Sequence, residues 1–158
     1  MSNNLIFIPF DKKFIYDIQD ILISKYQLKK YLNKVFPYNV LYYLGLYNNN
    51  LFLLFNNNEI VGSILLRKRI SHKSFKKFWW IYGVYIDKKY RKKGYGKIIM
   101  NEAVNWLHRK SVNKVYLYVD SNNIKAISLY KKIEFKIIEK SKFHKIDSSQ
   151  LLMRKCIK

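Results

Sequence analysis

The chain has 158 residues, which suits one domain whose core can bury roughly two-thirds of the unfolded chain's surface without disulfides or a structural metal. Apolar residues make up 49% and aromatics 17%, which excludes global disorder, and the single cysteine, Cys156, excludes an internal disulfide framework and a Cys-based zinc cluster. Lys and Arg number 31 against 10 Asp and Glu, a net charge of +21, which fits either a polyanionic partner such as RNA or the ribosome or compositional drift toward Lys.

In chain order, Leu5–Pro9 reads as a short apolar strand. From Asp11 to about Phe36 the spacing of Phe14, Ile18, Ile21 and Leu22, then Tyr26, Leu28 and Leu32, is helical, and Pro37 ends that region. Leu51–Phe55 is a strand, Asn56-Asn57-Asn58-Glu59 a turn, and Ile60–Leu66 the returning strand of a hairpin. Arg67–Lys77 reads as a basic connection. Phe78–Ile86 is a long aromatic strand expected to be buried on both faces, followed by a charged loop from Asp87 to Lys93. A helix opens at Gly94 and runs to about Lys110, with Ile98, Ile99, Ala103, Trp106 and Leu107 on one face. Lys114–Val119 alternates as a strand. Asn123–Lys132 is a second amphipathic helix, and Phe135–Ile138 and Leu151–Ile157 are closing strands. One α/β domain over residues 1–158 accounts for the whole chain.

The segment that carries chemistry is the strand, basic loop and helix start. Arg91-Lys92-Lys93-Gly94-Tyr95-Gly96-Lys97 stands directly before a helix. A helix start has unpaired N–H groups and the positive end of the dipole, and glycine lets a bulky anion approach that backbone. Two of only five glycines fall here, which points to a diphosphate site. A Walker loop would need Ser or Thr where Ile98 stands, and a dinucleotide fingerprint would need a third glycine. The same stretch nearly matches an RNA-recognition strand motif, but its residues have helical rather than strand period. Among the cations, 26 are Lys and only 5 Arg, whereas phosphate readers favour Arg forks; the excess charge therefore reads more readily as drift than as a nucleic-acid surface.

Tyr90-Arg91-Lys92-Lys93-Gly94-Tyr95-Gly96 resembles the Arg-x-x-Gly-x-Gly signature of the GNAT superfamily of N-acetyltransferases. Asn123-Ile124-Lys125-Ala126-Ile127-Ser128-Leu129-Tyr130, continuing to Glu134-Phe135, is similar to that family's second signature. Glu134 stands where the family usually has glycine, so a strained left-handed helix cap is expected there.

The resemblance implies a mixed, mostly antiparallel sheet of six to seven strands flanked by about four helices, with a splayed strand pair binding acetyl-CoA. It implies acetyl transfer from acetyl-CoA directly to a primary amine, on a small molecule or a protein N-terminus. Arg91, Lys92, Lys93, Gly94, Tyr95, Gly96 and Lys97 would hold the pyrophosphate. Backbone N–H groups at Val84, Tyr85 and Ile86 would polarise the thioester carbonyl. Asn123 would bond the pantetheine arm and Tyr130 would act as general acid. No general base stands out; Asp120 and Glu59 read as turn or surface residues, and His72, His108 and His144 are scattered. Trp79, Trp80 and Tyr82 either line the acceptor side or pack the core, and Cys156 reads as a small core residue. No metal site is expected. The alternative is a basic RNA- or ribosome-binding module that keeps the fold without turnover. Phe78–Ile86, the longest apolar run, is too short to span a membrane, and Met1-Ser2-Asn3-Asn4 lacks the pattern of a secretion signal, so a cytoplasmic setting is expected.

Overall fold

The computed structural model describes residues 5–9, 51–70, 76–140 and 150–158. The helical reading of Asp11–Phe36 lies outside the described residues, as do His72 and His144. The strands are β1 (Leu5–Pro9), β2 (Leu51–Asn56), β3 (Glu59–Ile70), β4 (Lys77–Ile86), β5 (Lys114–Asp120), β6 (Lys136–Lys140) and β7 (Gln150–Cys156). They form a seven-stranded sheet in the order β1-β2-β3-β4-β5-β7-β6. Among the described residues there are two α-helices, α1 (Tyr95–Arg109) and α2 (Ile124–Lys132), against the four or so expected, and a 3-10 turn at Lys88–Tyr90.

Packing separates two compact units whose segments interleave in sequence. The first takes the described parts of Met1–Leu65 together with Gly83–Ile99. Here β1 runs antiparallel to β2, from Leu5↔Asn56 to Pro9↔Phe52, and Phe7 stacks on Phe52 at 4.8 Å between ring centres. Asn57 and Asn58 turn the chain into β3 with φ of 47° and 68°. Two successive left-handed residues match the twist of a tight hairpin, and Asn tolerates that backbone better than most residues. The apolar runs Leu51–Phe55 and Val61–Leu65 are buried without alternation, as expected of strands covered on both faces. Burying each such side chain contributes roughly 1.5–3 kcal/mol.

One close approach was not readable from the sequence. A Cβ on Gly62 would lie 2.5 Å from the Tyr85 carbonyl oxygen and 2.6 Å from Ile86 Cδ1. The Asp87 N–H donates to the Val61 carbonyl at 3.0 Å. Gly62 thus lets the end of β4 lie directly against β3.

The second unit takes Leu66–Tyr82 and Met100–Lys158. β4 and β5 are parallel, paired over Trp79↔Val115, Trp80↔Tyr116 and Ile81↔Leu117. A parallel pair needs a long crossover, which α1 supplies with its 15 residues. Of its sequence-predicted face Ile99, Ala103 and Leu107 are fully buried, together with Met100. Trp106 is half-buried and meets Trp79 edge to face at 5.6 Å. β5 and β7 pair along their whole length, from Lys114↔Cys156 to Asp120↔Gln150, and β6 closes the sheet on β7 with a register shift between Ile137 and Glu139.

Three expectations are corrected in this unit. β3 continues to Ile70 instead of ending at Leu66. Its exposed basic end is held by aromatic faces on β4, with Lys68 Nζ 5.7 Å from the Trp79 ring centre and the Arg69 guanidinium 5.2 Å from that of Tyr82. β4 is not buried on both faces: only Ile81 and Tyr85 are buried, and its other apolar residues are half-exposed. Cys156 is exposed, because β7 turns Met153 and Ile157 inward and strand alternation sends Cys156 the other way.

Candidate functional site

The first unit carries the basic loop. Gly94 has φ 85°, and a Cβ there would meet nothing within 4 Å, so its glycine answers a backbone requirement and not a lack of room. Its carbonyl accepts from the N–H groups of Lys97 at 2.9 Å and Ile98 at 3.2 Å, which makes it the residue that starts α1. The Lys97 amide is spent within the helix, which leaves its exposed side chain to meet a ligand. The first turn of α1 contains no acidic residue, so no carboxylate of that turn competes for an anion at the positive end of the helix. Arg91, Lys92, Lys93 and Gly94 are all exposed.

Two tyrosines fasten this loop from either end. Tyr95 is buried at 6% exposure and its hydroxyl accepts from Asn56 Nδ2 at 2.8 Å. Its side chain is therefore an anchor, and only its backbone is placed to meet a ligand. Tyr90 donates its hydroxyl proton to Glu59 Oε2, which also pairs with Lys89 Nζ at 2.9 Å. The two rings meet at right angles, 5.9 Å apart. Asn56 and Glu59 both belong to the β2–β3 turn region, so that hairpin holds the loop. Neither role was visible in the sequence, because the partners lie about thirty or more positions away.

Arg91 is tied to the end of β4. Its Nε donates to the Ile86 carbonyl at 2.9 Å, and its guanidinium lies 5.8 Å from the Tyr85 ring centre. Val84, Tyr85 and Ile86 thus share the first unit with the loop, and Tyr85 is buried.

The second unit carries Asn123 and Tyr130. Asn123 caps α2, its side-chain oxygen accepting from the Ala126 N–H at 3.1 Å, a role that independently explains an Asn at this position. The Asp120 carboxylate accepts from the Asn122 N–H at 2.8 Å, as expected of a turn residue. Tyr130 is 9% exposed, and burial pushes its hydroxyl up to about 12. It stays protonated across the physiological range.

Behind Tyr130 the helix ends with Phe135 N–H donating to the Tyr130 carbonyl at 2.9 Å and Glu134 N–H to that of Lys131 at 3.0 Å. That pattern places Glu134 in the left-handed region, at φ 67°, as its position in the signature led one to expect. Lys155 Nζ bonds both the Ile133 carbonyl at 3.0 Å and the Glu134 carboxylate at 2.7 Å; that hydrogen bond holds the Glu134 carboxyl below its ordinary range. His108 is exposed. Trp79 and Trp80 occupy opposite faces of β4, the first against Trp106 and the second against Tyr116 and Tyr118, so they cannot line one acceptor surface together.

These arrangements agree with what similarity shows. The family model described as "Acetyltransferase (GNAT) family" matches residues 15–135, and the chain belongs to that family. By its description that family is one of acetyltransferases. Arabidopsis thaliana "GCN5-related N-acetyltransferase 6, chloroplastic" is 29% identical over 85 residues, 54% of this chain and 30% of that protein; the chain therefore spans about a third of that relative's length. Among solved structures, PH1933 from Pyrococcus horikoshii OT3 has a TM-score of 0.72 at 22% identity, covering 97% of this chain and 98% of the other. Arabidopsis thaliana Naa50, in complex with the bisubstrate analogue CoA-Ac-MVNAL, has a TM-score of 0.68 at 20% identity, covering 96% and 97%. The ribosomal-protein-S18-alanine N-acetyltransferase of Escherichia coli has a TM-score of 0.66 at 14% identity, covering 97% and 94%. At these identities the likeness is one of fold. No helix among the described residues is long and apolar enough to cross a membrane.

Proposed function

We propose that the chain is an N-acetyltransferase that moves acetyl from acetyl-CoA directly to a primary amine, of a small molecule or a protein N-terminus. The observation that carries this reading is the loop at 91–97, where an acid-free helix start, a left-handed glycine and four exposed cations coincide. The diphosphate of the coenzyme takes the amides around Gly94–Gly96, with Arg91, Lys92, Lys93 and Lys97 supplying charge around it. Val84, Tyr85 and Ile86 present backbone to the thioester carbonyl, where donors stabilise the oxyanion as it develops. Asn123, besides capping α2, retains an amide group toward the pantetheine arm.

Tyr130 supplies the proton for the departing sulfur. A thiol titrates near 8.5 and this hydroxyl about 12, so a standing tyrosinate is disfavoured. The hydroxyl donates as charge builds on sulfur and is resupplied by the amine, which acylation acidifies. Starting from the neutral amine, the products are an amide and a thiol and the proton count closes; an ammonium first gives up its extra proton to water. In this reading residues 1–158 form one acetyltransferase domain. The unpaired Cys156 fits a reducing, cytoplasmic setting.

The test is a melting-temperature shift with acetyl-CoA, repeated on Gly96→Trp. A large shift in the parent chain that the substitution removes supports the reading. No shift in the parent chain contradicts it.

A further inference from the structure

The second unit presents a sheet face that the chemistry above leaves unused. On β4, Trp80 and Tyr82 point to the side opposite Trp79, and on β5 Tyr116 and Tyr118 share that side. Trp80 stacks on Tyr118 at 5.1 Å and leans on Tyr116 at 5.4 Å. Arginines border this strip. The Arg69 guanidinium sits 5.2 Å from the Tyr82 ring centre, Arg67 lies two residues earlier on the same side of β3, and Arg154 of β7 is paired with Tyr116. Three of the chain's five arginines thus frame one face, in a protein whose other cations are nearly all lysines.

Arginine's planar fork matches carboxylates in a way that lysine's point charge does not. Among the described side chains the only carboxylate on these strands' shared face is Asp120, at the far end of β5, where the Asn122 amide already engages it. The Tyr82 hydroxyl is buried and has no hydrogen-bond partner, so it holds a donor in reserve. Tyr82 and Tyr118 are also the first residues beyond the last β4–β5 pair, Ile81↔Leu117.

We propose that this aromatic, arginine-bordered face receives the acceptor, and that the acceptor is a peptide whose first residues carry carboxylates. Size favours a peptide over a small amine. Arg69 and Arg154 stand on β3 and β7, which are separated by β4 and β5; three strand spacings of about 4.8 Å make roughly 14 Å, the reach of about four extended residues. The aromatic strip supports the peptide backbone and the arginines pair with its acids. In the transfer, the amine nitrogen forms a bond to the acetyl carbon, the carbon–sulfur bond breaks, and the coenzyme leaves as a thiol carrying a proton lost by the amine. This inference rests on the acetyltransferase reading above.

The experiment compares two synthetic peptides of equal length, with Asp and Glu or with Lys at positions 2 to 4, by thiol release from saturating acetyl-CoA. The acidic peptide is expected to react with kcat/KM at least about 10-fold higher. Arg69→Ala and Arg154→Ala should each raise KM for the acidic peptide several-fold, leaving kcat and the acetyl-CoA melting shift in place, and Arg69→Glu should move the preference toward the Lys peptide. An intact acetyl-CoA shift with equal use of both peptides, or with preference for the basic one, overturns this inference alone. Salt-dependent binding of an RNA oligonucleotide that requires Trp80 and Arg69, without peptide preference, overturns it as well. Absence of any acetyl-CoA shift in the parent chain overturns the enzymatic reading and this one with it.

Discussion

Gly94, ahead of α1, and Glu134, behind α2, both hold left-handed backbone, at φ 85° and 67°. At Gly94 the surroundings are open and the cations exposed, so a side chain there would add strain with no contact to offset it. At Glu134 the carboxylate finds Lys155, whose ammonium also binds the preceding carbonyl, and two backbone bonds close the helix end. Ser111 ends α1 in the same way at φ 56°, with bonds from Ser111 to the His108 carbonyl and from Val112 to the Leu107 carbonyl. In a chain with five glycines, helix ends tolerate a side chain because their own hydrogen bonds and partners offset a cost of roughly 1–2 kcal/mol. The loop ahead of α1 is not free of such residues either, since Lys92 holds φ 63° with an exposed side chain.

The largest effect separates chemistry at α2 from binding at the loop. Tyr130→Phe is expected to lower kcat by about 100-fold or more while leaving the acetyl-CoA melting shift nearly unchanged; equal loss of both would make Tyr130 a packing residue. Its pH behaviour sharpens the point. The folded pKa of about 12 lies above the unfolded value of 10.0, so the stability from keeping the hydroxyl neutral is complete below pH 10 and is lost as pH rises toward 12. Denaturant titrations should show Tyr130→Phe losing less stability than the parent chain over that window. A limb of the parent's pH–rate profile near neutrality should persist in Tyr130→Phe.

Next in size is Gly62→Ala. Its Cβ would meet the Tyr85 carbonyl at 2.5 Å, and backbone must move to relieve it, at a cost of about 1–3 kcal/mol. Chemical denaturation should show that loss, accompanied by weaker acetyl-CoA binding if the end of β4 is displaced. Gly94→Ala meets no atom, so it should cost about 1–2 kcal/mol through backbone strain alone, with a reduced acetyl-CoA shift. The smallest effect has the opposite sign: Ser111→Gly should raise stability by a few tenths to about 1 kcal/mol, with turnover unchanged. If Ser111→Gly instead destabilises, the argument about caps is wrong.

The legible parts of the sequence were those whose cause is local. The Asn57-Asn58 turn, the apolar face of α1, the left-handed cap at Glu134 and the glycine start of α1 all follow from residues a few positions apart. What escaped depends on neighbours brought in by the sheet. Gly62 looked like an ordinary strand residue until β4 lay against it. Arg67–Ile70 read as a loop because exposed cations hide strand character, and only the Trp79 and Tyr82 rings across the ladder reveal why it stays extended. Tyr95 stands inside the signature, but that Asn56, 39 positions away, makes its side chain an anchor was not readable there. Strand alternation was the unused signal that would have placed Trp79 and Trp80 on opposite faces and Cys156 outward.

An amide-resolved NMR titration of the full chain with acetyl-CoA decides whether the amides at the start of α1 bind the coenzyme's diphosphate. Gly94, Tyr95 and Gly96 should show the largest chemical-shift changes, and Gly96→Trp should abolish them. Saturable binding that leaves those three amides unmoved and shifts another region would contradict that placement of the diphosphate.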